Sequence, residues 1–296
     1  MLFEKKIKNA PLSRGIIAAA AIVAVYFFGA TGIAYAQPEP IKNAREAVMV
    51  SIEKLEELKG SSLRPVEKLR KEIDLKREAL TNIVRLSRLE TETIKAKLDA
   101  LEADPPFAAL KKELVDKIKN YLNYFTGLEE VLKSTNNLDG IQSVAGQLKD
   151  WRKFTYDPEI TKAVDFILVF QNREVLDTGG ERLEKISGDL KRKAATAKSL
   201  WQPVVAKAAT NLKVARELNA RAFALLASYL PKSSAIDIPE IMPPTDEKTS
   251  DVNLKEVSAE AIITKPATIR DLVQDSLLEI KEAYQRFVEL NDFLKR

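Results

Sequence analysis

Residues 105–133 read PPFAALKKELVDKIKNYLNYFTGLEEVLK, and their spacing decides the fold. Phe107, Leu110, Leu114, Ile118, Tyr121, Phe125, Leu128 and Leu132 recur at steps of three and four. That period sets them on one face of a helix, with Lys and Glu on the other. A single helix gains little stability in water by itself, so such a stripe needs neighbouring helices to cover it. Asp104 suits an N-cap and Pro105 the first helical position. Ser134 to Asn137 form a polar turn that ends the segment.

The same period continues on both sides. Toward the N-terminus, Pro40 to Lys59 carries Ile41, Ala44, Val48, Ile52, Leu55 and Leu58 on one face, and Gly60 closes it. Ser61 and Ser62 suit the start of the next helix, predicted over Leu63 to Ala103. There Val66, Ile73, Leu80, Ile94 and Leu101 keep a seven-residue register. The alternate row through 69, 76, 83, 90 and 97 is broken by Lys76, Glu90 and Lys97, while Leu86, Leu89 and Leu98 widen the stripe. A two-stranded zipper needs both rows apolar, so this helix is expected to pack against several neighbours.

Toward the C-terminus a shorter helix is predicted from Leu138 to Phe154. Asp157 as N-cap, Pro158 at N1 and Glu159 at the positive helix end predict a fresh start there. The helix from Pro158 to Ala195 contains Phe166 to Phe170, an uninterrupted apolar run that predicts deep burial. Gly179 and Gly180 mark either a break or a close helix crossing. Leu200 to Leu230 is a sixth helix, which Pro203 starts or kinks. Residues 231–266 are rich in Pro, Ser and Thr and read as a linker or arm. Residues 267–296 form a strongly amphipathic terminal helix. The fold class is therefore all-α: an elongated, coiled-coil-like bundle of about six helices over 37–230, a Pro-rich arm, and a C-terminal amphipathic helix.

The N-terminal stretch Gly15 to Ala36 reads GIIAAAAIVAVYFFGATGIAYA and carries no charge, behind Lys5, Lys6, Lys8 and Arg14. This is the pattern of an export signal, with Ala34 and Ala36 fitting a small-residue cleavage site that leaves Gln37 first. The same run is long enough to cross a bilayer uncut, since about 20 apolar residues suffice, and would then contact the membrane as an anchor. Either way the expectation is an exported protein of the periplasm, cell surface or exterior.

Residues 1–36 also account for most of the charge. The chain holds 47 Lys+Arg against 43 Asp+Glu; four basic residues and one acidic residue fall in this segment, leaving 43 against 42. A near-neutral remainder argues against nucleic acid, which calls for a clustered basic excess. The chain has no Cys and no His. No Ser–His or Cys–His pair can be built, and the usual zinc ligands are missing, so no metal or cofactor is expected.

Two groups of side chains merit a functional reading. Trp151, Phe154, Tyr156, Phe166 and Phe170 could line a pocket, with Asn172 and Arg173 as polar groups; the alternative is a hydrophobic joint between helices. Ile280, Tyr284, Phe287 and Leu290 on the terminal helix could bind a partner; the alternative is docking on the chain's own bundle. The carboxylate pairs Glu56/Glu57, Glu90/Glu92 and Glu129/Glu130 read as solvated faces with (i, i+4) pairing to Lys and Arg. The sequence therefore points to a non-catalytic, exported scaffold or interaction protein, acting on a protein partner or by self-association. A lipid-surface-binding helical protein is the alternative, and a carboxylate-dependent hydrolase stands behind both.

Overall fold

The computed structural model describes residues 38–193, 198–230 and 267–295, and within them every regular element is helical. In chain order these are α1 Glu39–Lys59, α2 Pro65–Ala100, α3 Phe107–Ser134, α4 Leu138–Trp151, a π turn Arg152–Tyr156, α5 Asp157–Lys193, α6 Lys198–Ala227 and α7 Ile269–Lys295. The all-α multi-helix fold follows from the apolar stripes. On α3, Leu110, Leu114, Ile118, Tyr121, Phe125, Leu128 and Leu132 are buried on one face. The expected cleavage residues Ala34, Ala36 and Gln37, the whole stretch 15–36 and the arm 231–266 lie outside the described residues.

α1 packs on α2, α2 on α3, and the first half of α5 crosses both α2 and α3. The rest of α5 joins α6 and α7 in a three-helix unit. Two cores result. The larger gathers Leu80, Ile83, Phe125, Leu148, Phe166 and Phe170, and reaches Leu226 and Val273. The smaller holds Leu176, Leu190, Trp201, Leu212, Ile280, Phe287 and Leu290.

Several boundaries differ from the sequence expectation. α3 begins at Phe107, and the Asp104 side chain reaches Arg173 Nη1 at 2.5 Å instead of capping the helix. α2 begins after Arg64 with no side-chain cap, and Ser61 donates its hydroxyl back to Leu58 O at 2.8 Å. Pro158 does not start a new helix. Proline lacks an N–H and its ring presses on the carbonyl four residues back, which in an α-helix would be that of Phe154. Here the preceding turn widens: Asp157 N–H bonds Arg152 O, five residues back. α4, the π turn and α5 therefore form one continuous helical run of 14, 5 and 37 residues, about 80 Å along its axis.

Gly179 and Gly180 do not break α5 either. A Cβ at Gly179 would lie 3.2 Å from Leu212 Cδ2 and 3.7 Å from Tyr284 Cε2, so this is where α6 and α7 approach α5 closely. A bulkier residue would hold the three helices apart.

Candidate functional site

The densest group of buried polar side chains lies at the π turn. Glu90 of α2 is only 4% exposed, and Arg152 of the π turn is buried beside it. Arg152 Nη1 donates to Ser87 Oγ at 2.9 Å and Nη2 to Asp157 Oδ1 at 3.4 Å. Arg45 of α1 brings Nη2 to 3.7 Å from Glu90 Oε1. The Thr91 hydroxyl donates to Ser87 O at 2.6 Å, which leaves its oxygen to accept from the Tyr156 hydroxyl, also at 2.6 Å.

The widened turn positions these groups. It turns Tyr156 into the core and lays the Arg152 guanidinium 5.2 Å from the centre of that ring. Trp151 stacks on Tyr156 with centroids 5.3 Å apart, Tyr121 and Phe125 meet Tyr156 edge-on at 5.6 and 5.4 Å, and Tyr124 covers Trp151 at 4.1 Å. π turns inside α-helices recur at functional sites, and this one does set an unusual charge environment.

Electrostatics follow from burial. Neither Glu90 carboxylate oxygen accepts a hydrogen bond. Burial pushes the Glu90 carboxyl up to about 7, against the pull of Arg152 and Arg45, which favour its ionised form. Burial raises Asp157 too, opposed by Arg152, and raises the Tyr156 phenol. Burial thus favours the protonated form of Glu90 far more than at an exposed carboxyl. Glu90, Arg152 and Tyr156 are all buried, so the charge state of Glu90 is tied to the packing of α1, α2 and the π turn.

A second polar group sits where α6 ends and α7 begins. Asp165 accepts from the Tyr229 hydroxyl at 3.0 Å and from Arg270 Nε at 3.2 Å. These three border an open cleft of about 390 Å³, completed by Thr161, Leu225, Ser228, Thr268 and Ile269. Burial raises Asp165, opposed by Arg270 and Tyr229; burial and the Asp165 carboxylate push Tyr229 up to about 12.

The five aromatic residues read as a pocket do not gather in one place. Trp151 and Tyr156 join the π-turn group. Phe166 and Phe170 stack on each other at 4.4 Å, with Phe107 and Phe223 against Phe170 at 5.8 and 5.1 Å. Phe154 is 69% exposed on the outside of the π turn, with Lys153 Nζ 4.8 Å from its ring centre. Trp151 with Tyr156 and Phe166 with Phe170 thus sit in two separate helix joints, and Phe154 in neither. Arg173 lies over Phe170 and Phe223, at 4.9 and 5.6 Å. Asn172 is buried between α5, α6 and α7, donating to Asn219 Oδ1 at 2.9 Å and Ser276 Oγ at 2.8 Å.

The terminal helix stripe is also placed within the chain. Ile280, Phe287 and Leu290 are buried in the smaller core and Tyr284 packs against it, so α7 docks in cis and these four side chains serve the chain's own core. The carboxylates divide. Glu92 and Glu129 both reach Arg88, Glu130 reaches Lys133, and Glu56 reaches Lys59, all near solvent. Glu90 departs from the solvated-face expectation, because its position in the α2 register points inward. That register position was the one signal in the sequence; its partners lie on α1 and the π turn and share no local spacing with it. Among the described residues, no group of three or more acidic residues is arranged to hold a metal ion, and no helix is long and apolar enough to cross a membrane. The chain matches no family model, no curated protein and no solved structure.

Proposed function

We propose that this chain is an exported, non-catalytic helical scaffold of the cell envelope or exterior, working through the outer faces of its helices on a protein partner or a second copy. The observation that carries the reading is the uncharged stretch Gly15 to Ala36 behind Lys5, Lys6, Lys8 and Arg14, followed by a near-neutral helical chain. The buried charges of Arg152 and Asp165 give the reading further support, since each is spent on a hydrogen bond between helices.

Cell fractionation and the intact mass of the purified protein test the export step. A chain beginning at Gln37, or a full-length chain in the membrane fraction, supports it. A full-length chain recovered wholly from the cytoplasm refutes it. Light scattering with pull-down from envelope extracts tests the scaffold step, and a monomer that captures nothing there would overturn it.

A further inference from the structure

α1 is held to the bundle from one side. It rests on α2 and makes no contact of comparable extent with another helix. The two run antiparallel, with Lys54 opposite Glu78, Ser51 opposite Asn82 and Arg45 opposite Glu90. Residues 60–64 join them outside either helix. Arg45 therefore lies about 22 Å along α1 from that turn. Near the turn the pairing is polar and satisfied. Asn82 Nδ2 donates to Ser51 Oγ at 2.9 Å, Lys54 meets Glu78 at 3.2 Å, and Lys68 Nζ donates to Lys59 O at 2.8 Å. Toward its far end α1 gives the larger core Ile41, Ala44 and Val48.

Glu90 sits beneath that far end. Charged and titratable groups reach it from each element around it: Arg45 from α1, Arg152 and Tyr156 from the π turn and, beyond Arg152, Asp157 from α5. Neither guanidinium depends on Glu90. Arg152 has Asp157 at 3.4 Å and donates to Ser87, while the Arg45 side chain keeps 28% of its surface in solvent. Glu90 has no such provision, being buried with no hydrogen bond to either oxygen. An ionised carboxylate is stabilised by donors and by water, so the closed packing favours the neutral form. Burial outweighs the pull of both arginines. The two sides of Glu90 also differ in strength. On the π-turn side Arg152 bonds Ser87 and Tyr156 bonds Thr91, packed by Trp151, Tyr121 and Phe125. On the α1 side the tie to Glu90 is the long Arg45 contact at 3.7 Å. Lifting α1 is therefore the least costly way to bring water to Glu90.

We propose that α1 is a proton-linked latch: it lies closed on α2 while Glu90 carries a proton, and pivots away on the turn 60–64 as Glu90 releases that proton to solvent. Opening leaves the carboxylate ionised and hydrated beside Arg152, and withdraws Ile41, Ala44 and Val48 from the larger core. The opposite device is an ion-pair clasp, in which Arg45 holds the ionised Glu90 and acid opens the helix. The latch does not depend on export or on a partner.

Hydrogen exchange of the purified full chain between about pH 5 and 8, corrected for the intrinsic rate, reads the opening constant of each helix. The amides of α1 are expected to exchange through openings more frequent than those of α3 at every pH. Their opening constant is expected to rise about tenfold per pH unit from about pH 5, and to level off above about pH 7, where Glu90 ionises in the closed state too. Glu90→Gln, neutral and of the same size, is expected to keep α1 at its low-pH protection throughout. Three results would overturn the proposal. An α1 opening constant that falls as pH rises marks the ion-pair clasp. Equal constants in α1 and α3 mark unfolding of the whole chain. A rise that persists in Glu90→Gln assigns the proton to another group. The first two are read from the wild type, so they hold whatever Glu90→Gln does to folding.

Discussion

Asn172 of α5 donates to Ser276 of α7 at 2.8 Å, joining residues 104 positions apart. Ser276 passes the contact on, donating to Ala215 O of α6 at 2.9 Å, and Asn172 also bonds Asn219 of α6. This layer lies between the two cores, below Phe170 and Val273 and above Leu176 and Ile280. Apolar stripes alone would let α7 slide along its groove with little loss. The three polar side chains meet in one register only, as a buried Asn does in a coiled coil.

Asn172→Leu is therefore expected to cost about 1–3 kcal/mol, because Asn219 Oδ1 loses its buried donor. The triple change Asn172→Leu, Asn219→Leu, Ser276→Ala should recover stability while broadening the amide spectrum of α7, as several registers become populated. Denaturant melts and NMR of both variants check this. A single variant as stable as the wild type would remove the layer's role.

Removing residues 232–296 takes α7 away and exposes Leu176, Leu212 and Trp201 of the smaller core. The expected result is a lower melting temperature and loss of cooperativity in the α5–α6 region. Calorimetry of the shortened chain decides it. An unchanged melt with loss of self-association would instead return Ile280, Tyr284, Phe287 and Leu290 to a partner.

Glu90 predicts a pH dependence with a definite sign. Its pKa is raised to about 7 in the folded chain, so the folded state holds this proton more tightly than the unfolded state, where an ordinary Glu lies near about 4.3. The stability this group contributes is full below the ordinary value and is lost as pH rises through 7, an effect on the order of 3 kcal/mol. Asp157 and Asp165, also raised, add the same trend at lower pH. Urea melts between pH 5 and 8 should show the wild type losing stability while Glu90→Gln stays nearly flat and is the more stable at pH 8. Parallel curves for the two chains would show that Glu90 is not the titrating group.

The paired glycines of α5 should respond differently. At Gly180 a Cβ meets only the exposed end of Arg216, at Nη2, which can swing aside. Gly180→Ala should then stabilise by about 0.5–1 kcal/mol through helix propensity. Gly179 faces Leu212 and Tyr284 in the crossing, so Gly179→Leu should destabilise by about 1–3 kcal/mol through overpacking. Thermal melts that ranked the two variants the other way would place the crossing elsewhere.

Local spacing was enough to read the helices. Phe107 to Leu132 kept its stripe because a helical face is set by neighbours three and four residues away, and the same rule found α1, α2, α6 and α7. Asn137 caps α4 through its side chain at 2.7 Å from Gly140 N, a turn the polar run Ser134 to Asn137 had marked. Pro158 fits the rule for helix starts, yet the helix runs on through it, because the widened preceding turn relieves the clash its ring would make with the Phe154 carbonyl.

The sequence by itself determined an all-α chain and the apolar face of nearly every helix, since both follow from short-range periodicity. Only the tertiary structure decided which faces meet and what their polar residues do. Glu90 finds Arg45 and Arg152, and Asn172 finds Asn219 and Ser276, across separations that no local spacing encodes. The end of α3 beside Arg77 likewise leaves Val66 and Leu69 exposed among the described residues, although they share a stripe with the buried Leu80. A stripe states that a face seeks cover, and the lengths and order of the packed helices settle where that cover ends.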